Sequence, residues 1–557
     1  MSQSRQISAL LRRDLFVAVL ALLLVALSAT AVRAETAAPA PAPMPGAPGL
    51  AVPTLAWTPC GTAARVQCSV ADLPMDYDDP AGEQVHIAVA KVPATDQAHR
   101  IGSLFINLGG PGGPSVDFLQ ASGASFFAAL NQRFDIVAFD PRGVGQSTPA
   151  VDCHVNQETT GLGSQPFPTP LTIDVKAYVA KSQAYVNACL ANGAILGHLS
   201  TANVARDLDV LRAAVGDDRL SYLGFSYGTF LGATYAALFP DRFRAVVLDG
   251  ALDPEQYIHD PSGFGVAQTA AFERALGRFM KACAADQVAC SGFGGADPLL
   301  AYDRLVASAE VTPIPAPRYA PDPRPVDGDD IRVATVLALY AKRFWGVLGV
   351  VLAQAAAGDG SAIRSVVDNG FYGRRPDGTF DPSGDRFFTI SASEQEFARD
   401  DVNSYLERGA KAWSSFPHFW WNTGYPDISF ALWPVHDHDA FGGPWTVPPT
   451  SATPLVVATT NDPATPYAGG VRLAAQLGNA RLLTMEGDGH TAYPGNSPCI
   501  DTATQAYLIG LTLPAPNTVC VQDVPFTAPA PVPAAASAVA SAAAVHGRLG
   551  LALDSRH

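Results

Sequence analysis

The chain has 557 residues, 48% of them hydrophobic and 16% charged, a balance that describes a globular protein with a large core and excludes a disordered one. Its formal net charge of −15, with no Lys/Arg-rich run, argues against a nucleic-acid partner or attraction to an anionic membrane.

The first segment, residues 1–34, has the form of an export signal. Arg12 and Arg13 precede an almost wholly apolar run over 15–27, and Val32-Arg33-Ala34 offers a small-residue cleavage site. That run is shorter than the ~20 residues a membrane span needs, so no span is expected after cleavage. Residues 35–53 form an Ala/Pro linker, and residues 526–557 include a similar Ala/Pro/Ser-rich tail. The destination is therefore extracellular or periplasmic, where disulfides persist. Eight cysteines fall in local pairs, Cys60/Cys68, Cys153/Cys189, Cys283/Cys290 and Cys499/Cys520, which suggests four short-range bridges while leaving the connectivity open. No C-x-x-C or Cys/His cluster supports a zinc site.

Residues 54–253 read as strand–helix alternation, hence a mostly parallel α/β sheet. A strand is predicted at 85–92 and another at 103–108, which runs into Gly109-Gly110-Pro111-Gly112-Gly113-Pro114. A glycine-rich loop at a strand end lets backbone N–H groups face an oxyanion. No Lys follows as a phosphate-binding loop requires, and no G-x-G-x-x-G is present. The strand at 134–139 ends in Asp140-Pro141-Arg142-Gly143, read as a structural turn near the site that does not react. A helix over 201–215 leads to Leu223-Gly224-Phe225-Ser226-Tyr227-Gly228, a strand, a G-x-S-x-G turn and a helix start. Such an elbow pushes its serine out over the end of the sheet. Another strand follows at 244–250. Residues 254–449 are helix-rich and too long for a loop, so they read as an inserted helical cap. Sheet character returns over 450–525, with strands at 453–460 and 480–485 that deliver Asp462 and His490 just beyond their ends.

Ser226, Asp462 and His490 thus occur in the order of the α/β-hydrolase fold. A serine hydroxyl needs a base within hydrogen-bond reach; His490 can take its proton, and Asp462 would set the imidazole tautomer. The oxyanion donors are expected at the N–H groups of Gly110 and Tyr227. Asp488 lies only two residues from His490, too local to be the orienting acid. His436-Asp437-His438-Asp439 resembles a metal pair but has no third ligand nearby in sequence.

Several stretches carry a family resemblance: Trp57-Thr58-Pro59-Cys60, Gly109-Gly110-Pro111-Gly112, Asp140-Pro141-Arg142-Gly143-Val144-Gly145-Gln146-Ser147, Gly224-Phe225-Ser226-Tyr227-Gly228-Thr229, Leu248-Asp249-Gly250, Gly489-His490 and the Cys499/Cys520 block. On these the chain resembles the tripeptidyl aminopeptidase branch of the proline iminopeptidase family, secreted serine exopeptidases with a TAP-like carboxy-terminal region. The resemblance implies release of short peptides or single residues from free N-termini of peptide substrates, without metal or cofactor. The same triad would serve a secreted carboxylesterase or lipase. An amine-binding carboxylate is expected in the cap, first at Glu394, which occupies the acidic position of a family stretch, and second at Glu396. The chain departs from the family where two cap cysteines are replaced by Ala392 and Phe430, which implies a less rigid cap.

Overall fold

A computed structural model describes residues 52–61 and 65–527; the signal segment, nearly all of the linker and the tail beyond 527 lie outside the described residues. Among the described residues ten strands form one sheet: β1 (Thr58–Pro59), β2 (Gln67–Pro74), β3 (Gln84–Val92), β4 (Gly102–Asn107), β5 (Phe134–Phe139), β6 (Leu220–Phe225), β7 (Phe243–Asp249), β8 (Leu455–Asn461), β9 (Arg481–Asp488) and β10 (Val519–Val521). Their order across the sheet is β1-β2-β3-β5-β4-β6-β7-β8-β9-β10. The pairs from β1 to β5 are antiparallel, and every pair from β5 onward is parallel. Strands β4, β5 and β6 are buried at every position, as expected where helices cover both faces of a parallel sheet.

Helices Thr201–Ala214 and Tyr227–Leu238 flank β6 in the chain, and Tyr467–Leu477 joins β8 to β9. One apolar cluster fills the side of the sheet that includes Phe105, Tyr222, Phe230 and Leu248; a second, with Ile106, Phe225 and Val247, fills the other. Alternate residues of β4, β6 and β7 divide between the two, which is the period of a strand.

Between β7 and β8 the chain runs through helices from Pro254–His259 to Ile428–Ala431. The longest, Pro261–Ala285, starts on Pro261 with Asp260 accepting from the Gly263 N–H at 2.9 Å, a capped entry that suits proline in the first turn. These helices have a core of their own around Phe272, Phe279, Trp345 and Leu352. At the position of the departed cysteine, Phe430 stacks on Phe397 at 4.1 Å and meets Phe388 edge-on at 4.9 Å. Aromatic packing therefore occupies the place where the family's bridge is expected.

The structure joins Cys60 to Cys68, Cys153 to Cys189, Cys283 to Cys290 and Cys499 to Cys520. The turn after β5 is structural. Fully buried Arg142 pairs with Asp207 through two bonds of 2.7 and 2.9 Å and donates to the Met75 and Pro74 carbonyls, which ties β2 to the Thr201–Ala214 helix. Removing one partner from such a pair typically costs about 3–5 kcal/mol, because a buried charge is left uncompensated.

Candidate active site

Ser226 stands between β6 and the Tyr227–Leu238 helix with φ 55° and ψ −124°, a strained backbone that a non-glycine residue rarely adopts. Close approaches on either side explain the glycines. A Cβ on Gly224 would lie 2.3 Å from the Gly228 carbonyl oxygen, and one on Gly228 would lie 2.7 Å from the Asn107 carbonyl oxygen in β4. Strand, elbow and helix can close together only where side chains are missing.

The glycine-rich loop leans on this elbow. A Cβ on Gly109 would meet the Phe225 carbonyl oxygen at 2.3 Å, Ser226 Cβ at 2.8 Å and the Tyr227 nitrogen at 3.0 Å. Asn107 steadies the loop by accepting from the Gly109 N–H at 3.0 Å. Gly110 and Tyr227 line one cavity with Ser226, and the Tyr227 N–H belongs to the first turn of a helix, whose donors have no partner within it. The helix dipole adds partial positive charge at the same place.

His490 follows β9, and its Nδ1 lies 2.9 Å from Asp462 Oδ2 and 3.0 Å from Oδ1. Asp462 is itself fixed. Its Oδ1 accepts the Ala464 and Thr465 N–H groups, both at 2.8 Å, and its Oδ2 accepts the Thr465 hydroxyl at 2.9 Å. A carboxylate holding that many donors orients the imidazole and can stabilise its cation. His490 Nε2 is buried and has no hydrogen-bond partner among the described residues, the Ser226 hydroxyl included. Ser226 and His490 both lie at the end of β7: the Ser226 N–H donates to the Asp249 carbonyl at 2.9 Å, and a Cβ on the next residue, Gly250, would lie 3.0 Å from His490 Cε1.

Three residues that sequence reasoning missed hold this arrangement. Thr465 touches both Asp462 and, at 3.2 Å, His490 Nδ1. Its place three residues after the aspartate is the spacing of a side-chain-capped turn, a usable signal. Buried Asp249 accepts the Ala492 N–H at 2.9 Å and the Tyr493 N–H at 2.7 Å, fixing the loop beyond the histidine. Burial, only partly offset by those two N–H groups, pushes its carboxyl up to about 7. Tyr340, in the cap, accepts the His490 N–H on its backbone carbonyl at 2.6 Å and sets its ring edge-on to the imidazole at 5.8 Å. Nothing in its local sequence marks that contact.

Asp488 is an ion-pair partner of Arg278 and not of His490. Asp437 is buried and occupied by the Ser200 N–H at 2.7 Å, while His438 and Asp439 lie beside Asp76 with ligand atoms within 4.8 Å of one another. Arg206 lies 3.4 Å from Asp439, which opposes a cation there.

The cavity over Ser226 has a volume of about 350 Å³ and is roofed by cap residues including Tyr257, Phe264, Tyr340, Phe371 and Phe387. The same five residues also line a second chamber of about 390 Å³, which extends to Phe167, Tyr178, Trp421 and Phe430 and does not touch Ser226. Trp421 and Phe167 stack there at 4.3 Å. The expectation for the amine anchor needs correction, since neither Glu394 nor Glu396 lines either chamber. Glu394 is 2% exposed and bonded to Thr201, because it ends a helix buried on nearly every side. Glu396 is exposed and pairs with His259 at 3.1 Å. The carboxylates that do line the chambers are Asp381, over Ser226, and Asp427, in the second chamber.

Comparison with known proteins agrees with this geometry. Residues 103–289 match the alpha/beta hydrolase fold family, and residues 428–520 match the family described as TAP-like protein. Serine protease Hip1 of Mycobacterium tuberculosis is 34% identical over 482 residues, covering 83% of this chain and 90% of that protein. Carboxylesterase B of the same species is 34% identical over 496 residues, covering 86% and 91%. Tripeptidyl aminopeptidase of Streptomyces lividans is 28% identical over 487 residues, covering 84% and 85%. With the fold, the elbow and the His490–Asp462 pair in place, the chain belongs to the α/β-hydrolase family of serine hydrolases, among its TAP-like members.

Proposed function

We propose that the protein is an exported serine aminopeptidase that releases short peptides or single residues from free N-termini through an acyl-enzyme. The observation that carries the acyl-enzyme chemistry is the His490–Asp462 pair beside the strained elbow of Ser226, and the similarity to a tripeptidyl aminopeptidase and a serine protease favours peptides as substrates. His490 takes the Ser226 proton as Oγ attacks the scissile carbonyl, and the Gly110 and Tyr227 N–H groups receive the oxyanion. On collapse His490 returns the proton to the leaving amine, and water then releases the acyl group by the reverse sequence.

A free amine in such a site needs a carboxylate. Capture by Asp381 would leave room for fewer residues than capture by Asp427 in the farther chamber, so product length reports which acid acts. Export is supported by the four disulfides and by the signal-like segment; among the described residues no helix is long and apolar enough to cross a membrane. A carboxylesterase is the second reading, favoured by the equal identity to a relative of that name.

Mass spectrometry of the products from one unblocked and one N-acetylated peptide tests the proposal. Tri- or monomeric release from the unblocked peptide, abolished by acetylation and by Ser226→Ala, is expected. Hydrolysis of short acyl esters with no cleavage of either peptide would overturn it in favour of the esterase.

A further inference from the structure

Glu394 is displaced from the role expected of it, yet it is tied to the oxyanion hole from behind. Its Oε2 accepts the Thr201 N–H at 2.8 Å, and its Oε1 lies 3.1 Å from the Thr201 hydroxyl. That hydroxyl in turn lies 2.5 Å from the hydroxyl of Tyr227, the residue after the nucleophile. Glu394, Thr201 and Tyr227 are all buried, at 2%, 1% and 5% exposure. The chain of bonds thus runs from the last residue of the Ser383–Glu394 helix in the cap, through the first residue of the Thr201–Ala214 helix, to the start of the nucleophile helix.

We propose that Glu394 is a positioning residue for the oxyanion hole, acting through the Thr201 hydroxyl on the side chain of Tyr227. The proposal rests on the reading above in one respect, that the Tyr227 N–H is an oxyanion donor. The polarity of the chain depends on the proton of Glu394. A protonated carboxyl donates to Thr201 Oγ1, and Thr201 then donates to the Tyr227 oxygen. An ionised carboxylate accepts from Thr201, and the Tyr227 hydroxyl must donate to Thr201 instead. Loss of that proton to solvent therefore reverses both hydroxyls and places a negative charge behind the residue that must stabilise an oxyanion.

Few groups compensate such a charge. The elements packed against Glu394 present Thr201, the phenols of Tyr227 and Tyr257, and Asp437, and Asp437 repels it. Burial, relieved in part by the Thr201 bonds and reinforced by Asp437, pushes the Glu394 carboxyl up to about 8. The carboxyl thus holds its proton at neutral pH and loses it in the mildly alkaline range.

The test is the pH dependence of kcat and KM between pH 6 and pH 10 on a small acyl ester, which avoids titration of a peptide's own α-amine near 8. The wild type should lose kcat with a midpoint near pH 8. Glu394→Gln should erase that alkaline step. Thr201→Val and Tyr227→Phe cut the chain at either end of the middle bond, and each should lower kcat roughly two- to tenfold with KM little changed. The double variant should be no worse than either alone, and Thr201→Ser should restore the wild-type profile. An alkaline step that survives Glu394→Gln overturns the proposal, as do losses confined to KM or to melting temperature. A trapped boronate whose oxygen lies away from the Tyr227 N–H overturns the oxyanion assignment and the proposal with it. The aminopeptidase reading fails by a different result, the absence of amide cleavage.

Discussion

Replacing Asp462 by asparagine should disable the base while leaving the fold in place, and the hydrogen bonds of the carboxylate determine how. Oδ1 accepts two backbone N–H groups at 2.8 Å, from Ala464 and Thr465. The asparagine carbonyl must take that position, because the reversed amide would leave two buried donors unpaired at about 1–3 kcal/mol each. The amide nitrogen then occupies the Oδ2 position, 2.9 Å from His490 Nδ1, and faces it donor to donor. The imidazole relieves this by moving its proton to Nε2, the atom that must accept from Ser226. A wrong tautomer of this kind costs roughly 10⁴-fold in kcat in a serine hydrolase, about 5.4 kcal/mol of transition-state stabilisation. Here Nδ1 also lies 3.0 Å from Oδ1, a residual contact with the new carbonyl that favours the working tautomer. The expected loss is therefore about 10³- to 10⁴-fold. Steady-state kinetics on a peptide amide and an acyl ester, with the rate of serine labelling by a phosphonate, would measure it, and both substrates should suffer alike. Asp488→Asn breaks the pair with Arg278 and should leave the chemical step far less affected. Near-wild-type rates for Asp462→Asn together with a collapse for Asp488→Asn would refute the assignment of the acid.

Gly109→Ala should lower kcat about 10²-fold or more through displacement of the oxyanion loop, at similar ester KM, because the new methyl would lie 2.3 Å from the Phe225 carbonyl oxygen at a backbone φ of +87°. A trapped-adduct structure and burst kinetics would show the displacement. Glu394→Gln should change the pH dependence of stability. A carboxyl raised from 4.5 to about 8 on folding favours the folded state below its unfolded value, and this support is lost as pH rises through about 8. The melting temperature of Glu394→Gln should therefore gain on that of the wild type between pH 5 and pH 9. The margin should correspond to several kcal/mol, since each tenfold change in proton affinity is worth about 1.4 kcal/mol; a constant difference would contradict the buried protonated form. Loss of the Cys153–Cys189 bridge, with a sequence separation of 36, should cost about 4 kcal/mol if chain entropy governs, measured as a change of the urea midpoint in a Cys153→Ala/Cys189→Ala variant.

The proposed triad is legible because each member follows a largely buried strand of a parallel sheet, and such strands carry clusters of apolar residues in their middle. The run at 134–139 coincides with β5 for the same reason. Strand β2 is not legible: Gln67–Pro74 mixes Ser69, Asp72 and Pro74 with apolar residues, since it lies next to the edge and buries alternate positions from Ser69 to Leu73. β10 is three residues long and carries no periodicity to read. The cavity is the hardest part. Its walls come from cap helices whose facing depends on tertiary packing, and the Ser383–Glu394 helix is buried so widely that its pattern gives no sign of which side meets substrate. Glu394 can be placed at a helix end from sequence, but not on the side away from the chambers. Phe430 reads in sequence as a lost cysteine, and the aromatic contacts that take over its place depend on Phe388 and Phe397, far from it in the chain.

The bond from the His490 N–H to the Tyr340 carbonyl bears on how this scaffold can be re-engineered. Exchange of caps among relatives is an obvious route to new specificity, on the premise that the cap reads substrate and the sheet does chemistry. Here the premise fails. The cap also supplies the acceptor for the histidine backbone, pairs Ala341 with Gly489, and neutralises Asp488 through Arg278. A graft that reshapes the chambers but omits these three contacts would hand the new substrate to a misplaced base, and screening it for altered specificity alone would discard sound pockets as dead enzymes. The transferable unit must therefore include the segments bearing Arg278 and residues 340–341, matched to the loop that follows β9.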